Sequence, residues 1–257
     1  MTVKNILRHF CLLSITTFFL NCEAESNQKL RIATAANMQF AMEEIVNAFE
    51  QETGIECQMI VSSSGKLSAQ IQEGAPFDVF VSADLKYPKQ LFEADLTLNE
   101  PKVYAHGKLV LWSAKKMDDL SLDDWQSSDI QNIVLANPKI APYGLAAMEV
   151  LKNYALLEKV ETKLVYGESI SQTNQFILSG AASLGFTAKS VVLSPKMRGK
   201  GSWVELADST YSPIQQAVVI LKNNAEKQAQ AKQFCNYLFA SESQEILEGF
   251  GYETIKH

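Results

Sequence analysis

From Lys29 onward, short apolar strands and amphipathic helices alternate, and this alternation constrains the fold more than any other feature of the chain. "KLRIATA" puts Leu30 and Ile32 on one face of a strand. "NMQFAMEEIVNAFEQETG" then carries Met38, Met42, Ile45, Val46 and Phe49 at helical spacing, with Asn37 at the N-cap position and Gly54 closing the helix. "IECQMIV" with "KLSAQIQEGA", and "FDVFVSA" with "LKYPKQLFEADL" capped by Asp84, repeat the unit. Successive strand-helix units imply a mostly parallel sheet flanked by helices, because a parallel connection needs a crossover. "VYAHGKLVLWSAK" is one long apolar strand, after which the scheme restarts through "NIVLANP", "PYGLAAMEVLKNYALL", "KLVYGES", "SQTNQFILSGAA" and "SLGFTAKSVV". A second apolar strand, "IQQAVVILK", leads into the helical C-terminal region. Two sheets joined by two crossing strands make an α/β protein of two lobes, 29–108 with 218–257 and 109–217, with a ligand cleft between them.

The residues before Lys29 read as an address. Lys4 and Arg8 precede an apolar run from Phe10 to Leu20, and Cys22-Glu23-Ala24 offers small residues for cleavage after Ala24. We expect residues 1–24 to be a cleavable signal peptide and the protein to be periplasmic; a short membrane anchor is the alternative. Lipid attachment at Cys22 ranks below cleavage, since Asn21 stands where a lipoprotein signal carries a small residue. In an oxidising compartment Cys57 and Cys235 are free to form one bridge, and two separately buried thiols is an equal reading. No cysteine or histidine spacing suits a metal cation, and the formal net charge of −6 without basic runs argues against nucleic acid or an anionic membrane as partner.

Four turns occupy equivalent strand-to-helix positions: "ATAANM", "VSSSGK", "IAPYGL" and "GESISQ". Apart from Lys66 and Glu168 they are uncharged and rich in hydroxyls, amides and small residues. "SSSGK" is not a phosphate loop: Ile60 stands where the pattern needs glycine, and Leu67 where it needs serine or threonine. Helix N-termini leave unpaired N–H groups and partial positive charge, so several that converge bind an anion without any arginine. A fully ionised tetrahedral oxyanion has acceptors only, and its pocket should hold donors and exclude carboxylates. Phosphate keeps a proton near neutral pH and would favour a carboxylate acceptor, for which Glu168 is the one candidate in these turns. Each turn residue also has a local explanation: Asn37 as a helix cap, a serine as a cap, Tyr143 as a rim aromatic, Ile170 as core. The serine cluster lacks the G-x-S-x-G elbow and His106 precedes a turn, so catalysis is disfavoured.

"ATAANMQFAMEEI", "SSSGKLSAQIQEGAPFDVFVSAD", "LANPKIAPYGLAAMEVL", "ESISQTNQFILSGAASLGF" and "QAKQFCNYLFASESQEIL" together resemble the periplasmic molybdate-binding proteins of ABC importers over nearly the whole mature chain, "GAPFDVFVSAD" being the most specific run. The resemblance implies a two-lobed periplasmic-binding fold that closes on molybdate, with tungstate as an alternative ligand, and delivery to a membrane permease. The expectation is a monomer without cofactor. Position by position, the family's oxyanion contacts fall on Asn37, on Ala36 through its backbone, on Ser64, on Tyr143 and on the amide of Ile170. Ala188 stands where some members carry a tyrosine, which leaves one contact missing or supplied otherwise. A receptor for sulfate, phosphate or a small organic acid is the alternative.

Overall fold

The computed structural model describes residues 29–223 and 225–255; the expected signal peptide, with Cys11 and Cys22, lies outside the described residues. In chain order the elements are β1 (Leu30–Ala35), a 3-10 turn (Ala36–Met38), α1 (Gln39–Thr53), β2 (Cys57–Ser62), α2 (Ser64–Gln72), β3 (Val79–Ser82), α3 (Lys86–Glu93) and β4 (Lys102–Gly107). There follow β5 (Leu109–Ser113), β6 (Ile133–Ala136), α4 (Pro142–Asn153), α5 (Leu157–Val160), β7 (Leu164–Gly167), α6 (Ile170–Leu178), β8 (Leu184–Ala188), α7 (Lys189–Leu193) and β9 (Ser202–Glu205). The chain closes with β10 (Ile214–Ile220), α8 (Gln228–Tyr237), α9 (Ser241–Gly249) and β11 (Glu253–Thr254).

Two sheets result, ordered β11-β4-β10-β3-β1-β2 and β7-β6-β8-β5-β9. Both are mixed. The parallel pairings that the strand-helix alternation implies are β2–β1–β3 in one sheet and β7–β6–β8 in the other. β4, β5 and β10, which lie beside the passages between the sheets, pair antiparallel. The apolar run around Lys108 is two strands and not one, because its first half pairs in one sheet and its second half in the other. β10 pairs with β3 and β4 along its length, so the return passage is the stretch 206–213. Beyond Ala188 the chain turns helical at Lys189, where the sequence pattern had continued a strand to Val192.

Burial follows the period of each element. Leu30, Ile32, Val79 and Val81 face α1 and α8 on one side of the first sheet, while Ala33 and Phe80 face Leu67, Ile71 and Leu91 on the other. Gly54, at φ 70°, ends α1 in the left-handed conformation that a side chain resists. The N-cap position of α3 is Leu85 and not the expected Asp84, whose Oδ1 nevertheless accepts from Tyr87 N in the first turn at 3.2 Å. Cys57 and Cys235 are free and buried with no bridge between them, and burial pushes both thiols up to about 12.

Lys108 marks the first passage between the sheets. Its ammonium is almost fully buried and lies 2.5 Å from Asp208 Oδ2, on the return passage, and 2.6 Å from Glu253 Oε1, on β11. Tyr211 OH donates to Asp208 Oδ1 at 3.0 Å and accepts from Leu109 N at 3.2 Å, so both passages and the C-terminal strand are tied at one point. The hydrogen bond from Lys108 holds Asp208 below its ordinary carboxylate value of 3.8. A depressed carboxylate stabilises the fold above its unfolded pKa, and the tie weakens as pH falls through the lowered value. Lys108→Met should therefore remove part of the acid sensitivity of the melting temperature below about pH 4, measured by calorimetric scans at stepped pH.

Phe49 packs edge-on against Phe234 with ring centroids 5.2 Å apart and joins α1 to α8. Phe49→Ala is expected to lower stability by about 3–5 kcal/mol, the usual cost of emptying a buried aromatic site, as read by urea denaturation.

Candidate functional site

β1 and β2 run parallel, as do β6 and β7, so the turns at their C-terminal ends emerge together from each sheet. The two pairs of turns face one another across the gap between the sheets. Gly65 N donates to Ile140 O at 2.8 Å, Tyr87 OH to Lys139 O at 3.1 Å, and Ser171 Oγ to Gln39 Oε1 at 3.2 Å. Lys66 and Glu168, the charged residues of these turns, form an ion pair with each other across the same gap. Ala36, Tyr143, Ile170 and Ala188 share one buried cluster with Ala35 and Ala83. The structure thus brings Ala36, Asn37, Ser64, Tyr143 and Ile170 to one region, and all five are buried.

Ser64 opens α2. Its Oγ accepts from Ala83 N at 3.0 Å, and its hydroxyl hydrogen has no acceptor among the described residues. Ser63, the N-cap, makes no capping bond, and its Oγ is buried without a partner. Tyr143 follows Pro142, the N1 residue of α4; its ring is 2% exposed and its hydroxyl has no hydrogen-bond partner. Burial pushes its pKa well up, and the neighbouring Tyr252 hydroxyl adds to this without forming a well-aligned bond. A Cβ at Gly107 would lie 2.0 Å from that hydroxyl, so glycine there makes its room. Ile170 is the first residue of α6, whose N-cap Ser169 accepts from Gln172 N at 3.3 Å. The amides of Ser64, Tyr143 and Ile170 are first-turn donors with no acceptor in their own helices. Ala36 offers only its backbone.

Asn37 departs from expectation. It lies in the 3-10 turn and caps nothing, the N-cap position of α1 being Met38, which makes no side-chain cap. Its side-chain Nδ2 donates to Gln216 Oε1 at 2.8 Å and to Tyr252 OH at 3.0 Å, which uses both amide hydrogens. The donor left to Asn37 is its main-chain N–H. Ser190 Oγ, from the other sheet's side, donates to Asn37 O at 2.8 Å. The Tyr252 hydroxyl lies 3.1 Å from Asn37 O and 3.0 Å from Ser190 Oγ, and gives its hydrogen to one of them. Tyr252, Gln216 and Ser190 thus belong to the site's framework although no motif announces them, and Ser63 stands beside it. Only the hydroxyl of Ser63, inside "SSSGK", carried a signal.

His106 lies on β4, opposite Gln215 and Glu253, and is not part of the four turns. No group of three or more His, Cys, Asp or Glu suited to a metal ion occurs among the described residues. What remains is a buried set of hydroxyl and amide donors flanked by the Lys66–Glu168 ion pair. Such a set can desolvate an anion through dipoles.

Two sheets joined by two passages, with helix N-termini converging between them, are the architecture of a two-lobed solute-binding protein. The chain belongs to the bacterial extracellular solute-binding proteins, which it matches over residues 30–253. It is 40% identical to the molybdate-binding protein ModA of Rhodobacter capsulatus, over 86% of this chain and 87% of that one. With ModA of Azotobacter vinelandii the identity is 38%, over 91% and 92% of the two chains. The solved Azotobacter vinelandii periplasmic molybdate-binding protein superposes with a TM-score of 0.84 at 36% identity, covering 89% of this chain and 100% of that one.

Tyr252→Phe tests the framework. It leaves an Asn37 amide hydrogen short of a partner in the interior, and is expected to cost about 1–3 kcal/mol in chemical denaturation of the unliganded protein.

Proposed function

We propose that the chain binds molybdate, and tungstate as a close analogue, outside the cytoplasmic membrane and delivers it to the permease of an ABC importer. The observation that carries this reading is the pair of buried, partnerless hydroxyls, Tyr143 and Ser63, set among first-turn amides from both sheets. Molybdate is a tetrahedral dianion that bears no proton at neutral pH. It asks for donors all round and has nothing to give a carboxylate. In this reading Ser64 supplies its hydroxyl and amide, Tyr143 its hydroxyl, and Ile170 and the Ala36–Asn37 turn their main-chain N–H groups. The Tyr143 hydroxyl provides the phenolic donor that Ala188 cannot. Asn37 contributes through its backbone, its side chain being engaged below the site. The ligands of the named relatives support the same choice of anion.

The mechanism is capture by closure. Lobe I comprises residues 29–108 with 214–255 and lobe II residues 109–213, a division supported by the pairing of β10 with β3 and β4. It moves the second boundary a few residues ahead of the one read from the sequence. The anion joins donors of both lobes and so favours the closed state by contacts that the open state lacks. No catalytic step and no cofactor enter; the protein acts as a monomer, exported with residues 1–24 as its signal. A receptor for sulfate, phosphate or an organic acid is the competing reading.

Titration calorimetry against molybdate, tungstate, sulfate and phosphate decides between them. Molybdate and tungstate should bind far more tightly than the other two, and tight binding of a protonated or organic solute alone would end the proposal. Ser64→Ala and Tyr143→Phe should each weaken molybdate binding by about 1–3 kcal/mol, the worth of a buried hydrogen bond to a charged group. X-ray scattering profiles should contract when molybdate is added.

A further inference from the structure

We propose that Gly65 is the stop against which the two lobes close, and that this stop, and not the anion, sets the width of the cavity and hence which oxyanion fits. The inference rests on the functional reading above and adds to it the residue that governs size selection.

A glycine in a helix needs a reason. Gly65 is the second residue of α2 and does not adopt the left-handed backbone that would call for it. Alanine there would favour the helix by about 1 kcal/mol. Space is the reason. A Cβ at this position would lie 2.8 Å from Ile140 Cα, 2.9 Å from Ile140 O and 2.7 Å from Tyr87 OH, all closer than packed atoms allow. The Gly65 amide, next to Ser64 in the proposed site, is not free for a ligand: it donates to Ile140 O of the opposite lobe at 2.8 Å.

The surface that meets Gly65 is rigid. Ile140 N and Ala141 N both donate to Asn137 O, at 3.1 and 2.9 Å, and Lys139 N donates to Asn137 Oδ1 at 3.0 Å. Asn137 N is itself held by Gly167 O at 2.7 Å, at the end of β7. On the other side Leu67 N donates to Ser63 O at 3.0 Å and fixes the first turn of α2. Backbone therefore meets backbone at Gly65 and Ile140, and the one side chain at the contact, Tyr87, is itself held by its bond to Lys139 O. Tyr87 OH on Lys139 O and the Lys66–Glu168 pair flank the contact and hold it shut.

Selectivity follows from that stiffness. Sulfate has the charge and shape of molybdate and a smaller radius, so donor chemistry alone cannot tell them apart. A compliant clasp would close further on the smaller ion and regain its hydrogen bonds. Lobes that stop against each other cannot, because packed protein is nearly incompressible, and the smaller ion then leaves donors of one lobe unsatisfied.

Gly65→Ala tests this directly. The added methyl holds the lobes apart without touching the anion. Molybdate affinity by calorimetry should fall at least roughly tenfold, in line with overpacking of a closed contact. Competition by sulfate and by chromate should show the preference for molybdate shrinking, while the unliganded melting temperature stays at or above the original. Unchanged affinity and preference, or equal fold losses for all three anions, would overturn the proposal. Should the G65A chain not fold, Tyr87→Phe carries the test through the flanking bond: molybdate release in stopped flow should quicken several-fold, and an unchanged rate counts against the stop. Failure of the unsubstituted chain to bind molybdate at all would instead strike the functional reading, so the two failures are distinct.

Discussion

A dianion without hydrogens can leave water only where donors reach it from nearly every side, and a single sheet presents its donors from one side only. This constraint organises the molecule. Each parallel strand ends in a helix whose first amides have no partner within the helix, and two parallel strands deliver two such ends side by side. Setting β1 and β2 opposite β6 and β7 brings backbone donors of the two lobes to one region from opposed directions. Charge is kept in balance at the rim, where Lys66 pairs with Glu168, so the interior acts through dipoles that point inward. Neutral donors hold an anion without the deep electrostatic well of a buried guanidinium, a property suited to a carrier that must also let go.

The two ends of the cleft use different physics. At the back, Lys108 gathers Asp208 and Glu253 where the passages cross, so the charged tie sits at the pivot. At the front, the lobes touch through backbone at Gly65 and Ile140, a contact that tolerates no added atom. An ionic pivot permits small rotations because ion pairs are only weakly directional. A backbone stop permits none beyond contact. Rotation about the first and arrest at the second give closure a defined end point, which is what fixed donor positions require.

The parts of this arrangement that were legible in the sequence are those set by local periodicity. Strand-helix units from Lys29 to Asp95, and again from Ile133 to Leu178, follow the spacing of their apolar residues, and the position of Ser64 follows from the turn between β2 and α2. The turn beside Lys108 and the lobe boundary there were legible, but the division of the run into two strands was not, since apolar residues continue on both sides and only pairing in different sheets divides them. β9 and β11 are too short to show a period. Asn37 was misread as a cap because its true partners, Gln216 and Tyr252, stand 179 and 215 residues away, and no local pattern records such contacts. The reason for Gly65 was hidden in the same way: what it avoids is the backbone of the other lobe.

The coupling of binding to closure follows from the same inventory. With the lobes together and no anion between them, the Tyr143 and Ser63 hydroxyls are cut off from water without partners, and each such group costs about 1–3 kcal/mol. Facing helix ends add mutual repulsion of their partial positive charges. The contacts at Gly65, Tyr87 and Lys66 offset part of this, being made in the same closed geometry. In the proposed mode an anion removes the Tyr143 share of this penalty and reverses the sign of the interaction with every helix end it touches. The free energy that shifts the lobes is therefore the difference between an unsatisfied and a satisfied set of donors. A ligand that met the donors of one lobe alone would capture little of that difference and would leave the protein open.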